Sequence, residues 1–123
     1  MTTIKKAPEA IWPYSKAIWA WDLLFCSGQI WLNPENMQMV EWGIIEETKQ
    51  VCENISNLLA EFWLSINNVV KTTIFLKNMT DFWVVNEIYW NYFAHKPARS
   101  SVEVSNLPKW ALIEIEVIAR RGD

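Results

Sequence analysis

Two glutamates interrupt an otherwise apolar stretch near the end of the chain, Ile113-Glu114-Ile115-Glu116. Strand alternation places Ala111, Ile113, Ile115, Val117 and Ala119 on one face and Leu112, Glu114, Glu116 and Ile118 on the other. Either the glutamates form a solvated outer face, or a carboxylate is held in a cleft with a raised pKa, suited to handling a proton or a water. Arg99, just after Pro97-Ala98, is the natural partner. A guanidinium takes a carboxylate in a two-pronged fork that lysine cannot imitate, whereas a plain surface salt bridge is worth under about 1 kcal/mol. On a strand, Arg99, Ser101 and Glu103 share one face, and a hairpin through residues 105–110 would bring Arg99 and Ser101 near Glu114. Tyr14, in the loop-like Pro13-Tyr14-Ser15, offers a hydroxyl that donates or accepts. Ser27-Gly28-Gln29 breaks an apolar strand, where glycine allows close approach of a ligand or marks a bulge.

Other chemistries find little support. There is no nucleophile elbow, glycine-rich phosphate loop or metal-spaced cluster. The only histidine, His95, cannot build a histidine-rich metal site alone and has no local partner for Ser-His-Asp catalysis. Cys26 and Cys52 lie in apolar-patterned segments and read as buried thiols of a reduced cytoplasm. The formal net charge is -3, and no run of Lys or Arg exceeds two residues, so nucleic acid is not an expected partner. No apolar run reaches the roughly 18 residues of a membrane span. The first residues lack the apolar core of a signal peptide, so the expected location is cytoplasmic.

These residues need elements to hold them. At 123 residues with 51% apolar content, one domain over residues 1–123 is expected. Residues 23–30 read as a strand followed by a turn at 33–36. Over residues 44–63 the period becomes helical: Ile44, Val51, Ile55, Leu58, Leu59 and Phe62 share one face, while Glu46, Glu47, Lys49, Gln50, Glu53 and Asn57 fill the other. Residues 69–76 are β-branched and strand-like. Asn78-Met79-Thr80-Asp81 supplies a helix start, with Phe82, Val85, Ile88, Tyr89, Tyr92 and Phe93 at helical spacing, and Pro97 ends that helix by Lys96. Strands over 100–104 and 111–119 close the chain. The expected architecture is α+β, a sheet with both helices on one face.

Pro13-Tyr14-Ser15, Ser27-Gly28-Gln29-Ile30 and Val69-Val70-Lys71-Thr72-Thr73 occur in that order. Asp81-Phe82, Val85-Asn86, Pro97-Ala98-Arg99-Ser100, Val102-Glu103-Val104, Leu107-Pro108-Lys109 and Ile113-Glu114-Ile115-Glu116 follow. In this arrangement the chain resembles the YjgF/RidA family of imine and enamine deaminases. The resemblance implies a chorismate-mutase-like fold with a mixed sheet, assembled as a homotrimer with ligand clefts between subunits. In that fold the last strand lies inside the sheet, so it need not form the hairpin.

The implied activity is cofactor-independent, metal-free hydrolysis of 2-imino or 2-enamino acids, such as 2-iminobutanoate and 2-iminopropanoate, to 2-keto acids and ammonia. By resemblance, Arg99 clamps the substrate carboxylate, Glu114 positions or activates water, and Tyr14 lines the cleft and assists proton transfer. Gly28, Ser27, Asn86 and Ser101 join as substrate-binding residues, serine standing at 101 where some members carry cysteine. The alternative is a trimeric ligand-binding or chaperone-like module without turnover.

The composition adds a complication: nine tryptophans accompany only three glycines. Relatives usually have glycine where this chain has Trp12, Trp42, Trp63 and often Trp110, and proline where it has Trp31. Trp63 falls just past the first helix, where a left-handed residue is normally glycine. Trp12 and Trp31 flank the segments carrying Tyr14 and Gly28, so an altered chain with an occluded cleft is a further expectation to test.

Overall fold

The structure, a computed structural model, describes residues 13–32 and 43–122. The turn expected at 33–36 and both Trp12 and Trp42 lie outside the described residues. The elements are strands β1 (Ala17–Ala20) and β2 (Leu23–Cys26), helix α1 (Ile44–Glu61), strand β3 (Val69–Leu76), helix α2 (Phe82–Tyr92), and strands β4 (Ala98–Glu103) and β5 (Ile113–Arg120). The β-branched run of β3 and the helical period of α1 form where their side chains dictate. Strand β1 is an addition: only four residues long, it is too short for its alternation to stand out. Strand β2 stops at Cys26, four residues before the expected end, and beyond it a bridge between Gln29 and Ile115 ties the chain to the sheet.

The sheet order is β1-β2-β5-β3-β4. Strand β5 runs antiparallel between β2 and β3, and β4 lies parallel to β3. The hairpin between the last two strands is therefore not formed. A parallel pair needs a crossover, and α2 supplies it between β3 and β4. That leaves the other side of β3 open to β5.

Both helices pack on one face of this sheet. Ile113, Ile115, Val117 and Ala119 of β5 are buried there with Ile74 and Leu76 of β3 and with Val51, Ile55, Leu58 and Leu59 of α1. Truncating one such fully buried aliphatic to alanine costs about 2–5 kcal/mol. Cys26 and Cys52 are buried thiols, and burial pushes both up to about 12, which keeps them protonated.

Glu47 departs from its expected solvent face. It is 2% exposed, and its Oε1 accepts the backbone N–H of Leu112 at 2.9 Å. The chain entering β5 carries amides that the ladder does not use, and a carboxylate from the first turn of α1 supplies the acceptor. Burial raises the Glu47 pKa to about 7, against the lowering effect of the Leu112 and Ile113 amides. Asn54, also buried, donates to the carbonyls of Ile30 and Leu32 and so pins the chain that follows Gly28.

Helix α1 ends as the sequence predicts. Trp63 has φ 59°; its N–H reaches the Ala60 carbonyl at 3.1 Å, and Leu64 reaches Leu59 at 2.9 Å. This paired pattern closes a helix through a left-handed residue.

Candidate active site

Strand alternation and register decide where the chemistry-bearing residues point. Arg99 pairs with Thr72, and Thr72 faces the helices, where its hydroxyl meets that of Tyr89 at 2.8 Å. Arg99 therefore projects over α2. Its Nη1 donates to Asn86 Oδ1 at 2.7 Å, and its guanidinium carbon lies 4.9 Å from the Tyr89 ring centre and 5.6 Å from that of Phe82. Ser101, two residues on, shares this face, and with Phe82, Val85 and Asn86 it borders a narrow recess beside Arg99. Among the described residues, the buried Ser101 Oγ has no hydrogen-bond partner. No carboxylate lies within ion-pair distance of Arg99 among those residues either.

Glu114 occupies the other face. It pairs with Phe75, which in turn pairs with Val102, a row that alternates away from the helices. Its carboxylate lies against Gly28: a Cβ built on that glycine would sit 2.8 Å from the Glu114 carboxyl carbon and overlap one of its oxygens. Here absence of a side chain makes room for the acid, as the glycine interrupting the strand suggested. Burial pushes the Glu114 carboxyl above the usual glutamate range, and the nearby charge of Glu116 adds to the shift.

Tyr14 and Ser27 belong with Glu114. Ser27 Oγ donates to the Ser15 carbonyl at 2.6 Å and Ser27 N to the Lys16 carbonyl at 2.9 Å, so the segment carrying Tyr14 runs beside the one carrying Gly28. Tyr14 is 50% exposed.

The sequence-derived residues thus separate into two groups within one chain. Arg99, Asn86 and Ser101 gather on the helix side at the β4 edge, while Glu114, Gly28, Ser27 and Tyr14 gather toward the open face. The structure does not bring Arg99 and Glu114 together in one subunit. Sequence reasoning assigned no site role to Tyr89, Phe82 and Thr72, which surround the Arg99 group. Tyr89 sat among helix-face residues, and only the Thr72–Arg99 register ties it to the guanidinium. His95 is occupied elsewhere, its Nε2 2.8 Å from the Val69 carbonyl. Among the described residues, no group of three His, Cys, Asp or Glu side chains is placed to hold a metal ion.

Comparison with known proteins agrees with the motif reading. The family model described as Endoribonuclease L-PSP matches residues 4–121. A RutC family protein of Pyrococcus abyssi is 50% identical over 94% of this chain and 91% of its own length. The 2-iminobutanoate/2-iminopropanoate deaminase of Homo sapiens is 44% identical over 95% of this chain and 86% of its own. Among solved structures, a Rid family protein from Yersinia pestis, YyfA, superposes with a TM-score of 0.90 at 48% identity, covering 97% of this chain and 98% of that one. By sequence motif, family model and backbone alike, the chain belongs to the endoribonuclease L-PSP family, the YjgF/RidA group.

Proposed function

We propose that this protein hydrolyses small 2-imino and 2-enamino acids to 2-keto acids and ammonia, in clefts formed between the subunits of a homotrimer. The observation that carries this reading is Arg99. Its guanidinium is braced by Asn86 and two aromatic rings, and no carboxylate among the described residues neutralises it. Such a group is ready for the carboxylate of a small acid, which it would grip in a charge-assisted fork. The orphan Ser101 hydroxyl beside it offers a further hydrogen bond to the same ligand.

An imine carbon is already electrophilic, so the protein has only to hold the acid and deliver water and protons. The overall change is R–C(=NH)–COO⁻ + H2O → R–CO–COO⁻ + NH3. Water adds to the imine carbon, the nitrogen gains protons, and the carbinolamine expels ammonia. Glu114, with its pKa raised, is suited to take a proton from the attacking water and return it to the departing nitrogen. Tyr14 lines the cleft with a hydroxyl that relays a proton, and the Ser27–Gly28 backbone flanks the acid.

Because Arg99 and Glu114 face opposite sides of one sheet, one substrate meets both only if they come from different subunits. In a ring of subunits, the β4 edge of one would meet the open face of the next. That open face supports the arrangement. Ile18 is 56% exposed, Phe25 44% and Val102 41%, aligned across the sheet with the half-buried Ile118 and Phe75. Apolar surface of this kind is what subunit association covers.

The test is release of 2-ketobutyrate from a freshly generated threonine-dehydratase product. Acceleration well above buffer is expected. Binding of 2-ketobutyrate without any acceleration would mean a ligand-binding module instead.

A further inference from the structure

Resting on the reading of Arg99 above, we propose that Tyr89 is a positioning residue for Arg99: its ring fixes the plane in which the guanidinium meets the substrate carboxylate. Arg99 stands on an edge strand, where a long side chain has many rotamers to choose from. Asn86 holds one nitrogen, Nη1, and a single hydrogen bond leaves the guanidinium free to turn about it. The Tyr89 ring, 4.9 Å from the guanidinium carbon and nearer than the Phe82 ring at 5.6 Å, supplies the main further constraint, because a guanidinium settles over an aromatic face.

The ring is itself fixed. Tyr89 is 5% exposed, stacks on Phe93 at 4.5 Å with 18° between planes, and shares a hydrogen bond with Thr72. Thr72 is the direct register partner of Arg99 on β3, so the tie returns to the same rung of the sheet. A guanidinium set in place beforehand loses less freedom when a carboxylate arrives, which tightens binding without any contact between Tyr89 and substrate.

The experiment measures the Kd of 2-ketobutyrate by calorimetry for the wild type, Tyr89→Leu, Tyr89→Phe and Arg99→Ala, with the melting temperature of each. Tyr89→Leu is expected to raise Kd about three- to ten-fold, the loss of a partly desolvated cation–π contact. KM for the imine should follow Kd while kcat changes little. Tyr89→Phe, which keeps the ring, should recover most of the loss even if its melting temperature falls. Should Tyr89→Leu fail to fold, Tyr89→Met carries the same comparison. Unchanged Kd in Tyr89→Leu, or equal weakening by Tyr89→Phe, overturns the role of Tyr89 and leaves that of Arg99 intact. Undiminished binding by Arg99→Ala overturns both.

Trp21, Trp63 and Trp110 all have left-handed backbone, with φ of 51°, 59° and 56°, and are 95%, 92% and 92% exposed. That conformation crowds the Cβ of any L-residue and spares glycine; among the described non-glycine residues Lys96 and Lys109 share it and no other residue type does, and an indole in water gains no packing in return. Meanwhile no described glycine has positive φ, and the chain holds nine tryptophans against three glycines. We infer that these three positions are glycine in the protein its own cell makes, the codon written as tryptophan being decoded there as glycine. Intact-mass and peptide analysis of the chain purified from its source organism tests this. Glycine in the peptides spanning 21, 63 and 110 is expected, and tryptophan in them overturns the inference.

Discussion

The helix-covered face of the sheet and its open face treat polar side chains differently. On the covered face, Thr72 meets Tyr89, Asn54 caps two carbonyls and Glu47 receives the Leu112 amide. On the open side, Glu114 has no hydrogen-bond partner among the described residues, yet it is desolvated enough for its pKa to rise. Glu47 is buried and Glu114 half-buried, both with raised pKa values, but one is consumed by the backbone and the other is left uncommitted. Burying a polar group costs free energy unless a partner is supplied. An acid kept without one points to a partner that arrives from outside, whereas Glu47 already has its own.

The largest effects should come from cutting either half of the divided site. Glu114→Gln is expected to lower kcat by about 10²–10³-fold, the usual scale of a lost general base. Arg99→Ala should lower kcat/KM by about a hundred-fold, chiefly through KM, because a charged fork is lost. Steady-state kinetics on both variants checks the division: a Glu114→Gln loss confined to KM would erase the difference in roles.

Next in size is Gly28→Ala. Its Cβ would collide with the Glu114 carboxylate, so either the acid or the Ser27–Gly28 segment must move. A kcat about ten-fold lower is expected, with a stability loss of about 1–3 kcal/mol from overpacking. Wild-type kinetics in this variant would mean that Glu114 is not held where the reaction needs it.

The two glutamates can also be separated by pH. Removing the charge of Glu116 takes away one cause of the raised Glu114 pKa, so Glu116→Gln should move the acid limb of the rate profile to lower pH. Glu47 acts on stability alone. Its folded pKa of about 7 exceeds the ordinary 4.5, so its contribution is greatest below pH 4.5 and is lost as pH rises through about 7. Glu47→Gln should flatten the melting temperature across that window and leave the rate profile in place. An unmoved acid limb in Glu116→Gln, or a shifted one in Glu47→Gln, would break the contrast.

Much of this division was legible in the chain. Alternation along β5 separated Ile115 from Glu114, and the same rule put Arg99, Ser101 and Glu103 on one side of β4. The period of α1 and the left-handed turn at Trp63 were also readable, because each depends on neighbours in sequence. Strand order was not. It depends on which crossover leaves a ladder free, and the hairpin that would have joined Arg99 to Glu114 gave way to β5 entering between β2 and β3. Glu47 was misplaced for a related reason: a carboxylate in a first helical turn is well placed in solvent, and its burial follows from amides 65 residues away.

On the proposed reading, Arg99 and Glu114 serve one substrate from different subunits. Co-refolding equal amounts of Arg99→Ala and Glu114→Gln chains tests it most directly. If the halves meet across a subunit boundary, random assembly into a ring restores about a quarter of the wild-type sites, and activity returns in that proportion. If both residues act within one chain, every site keeps one defect, and the mixture stays as inactive as its parents.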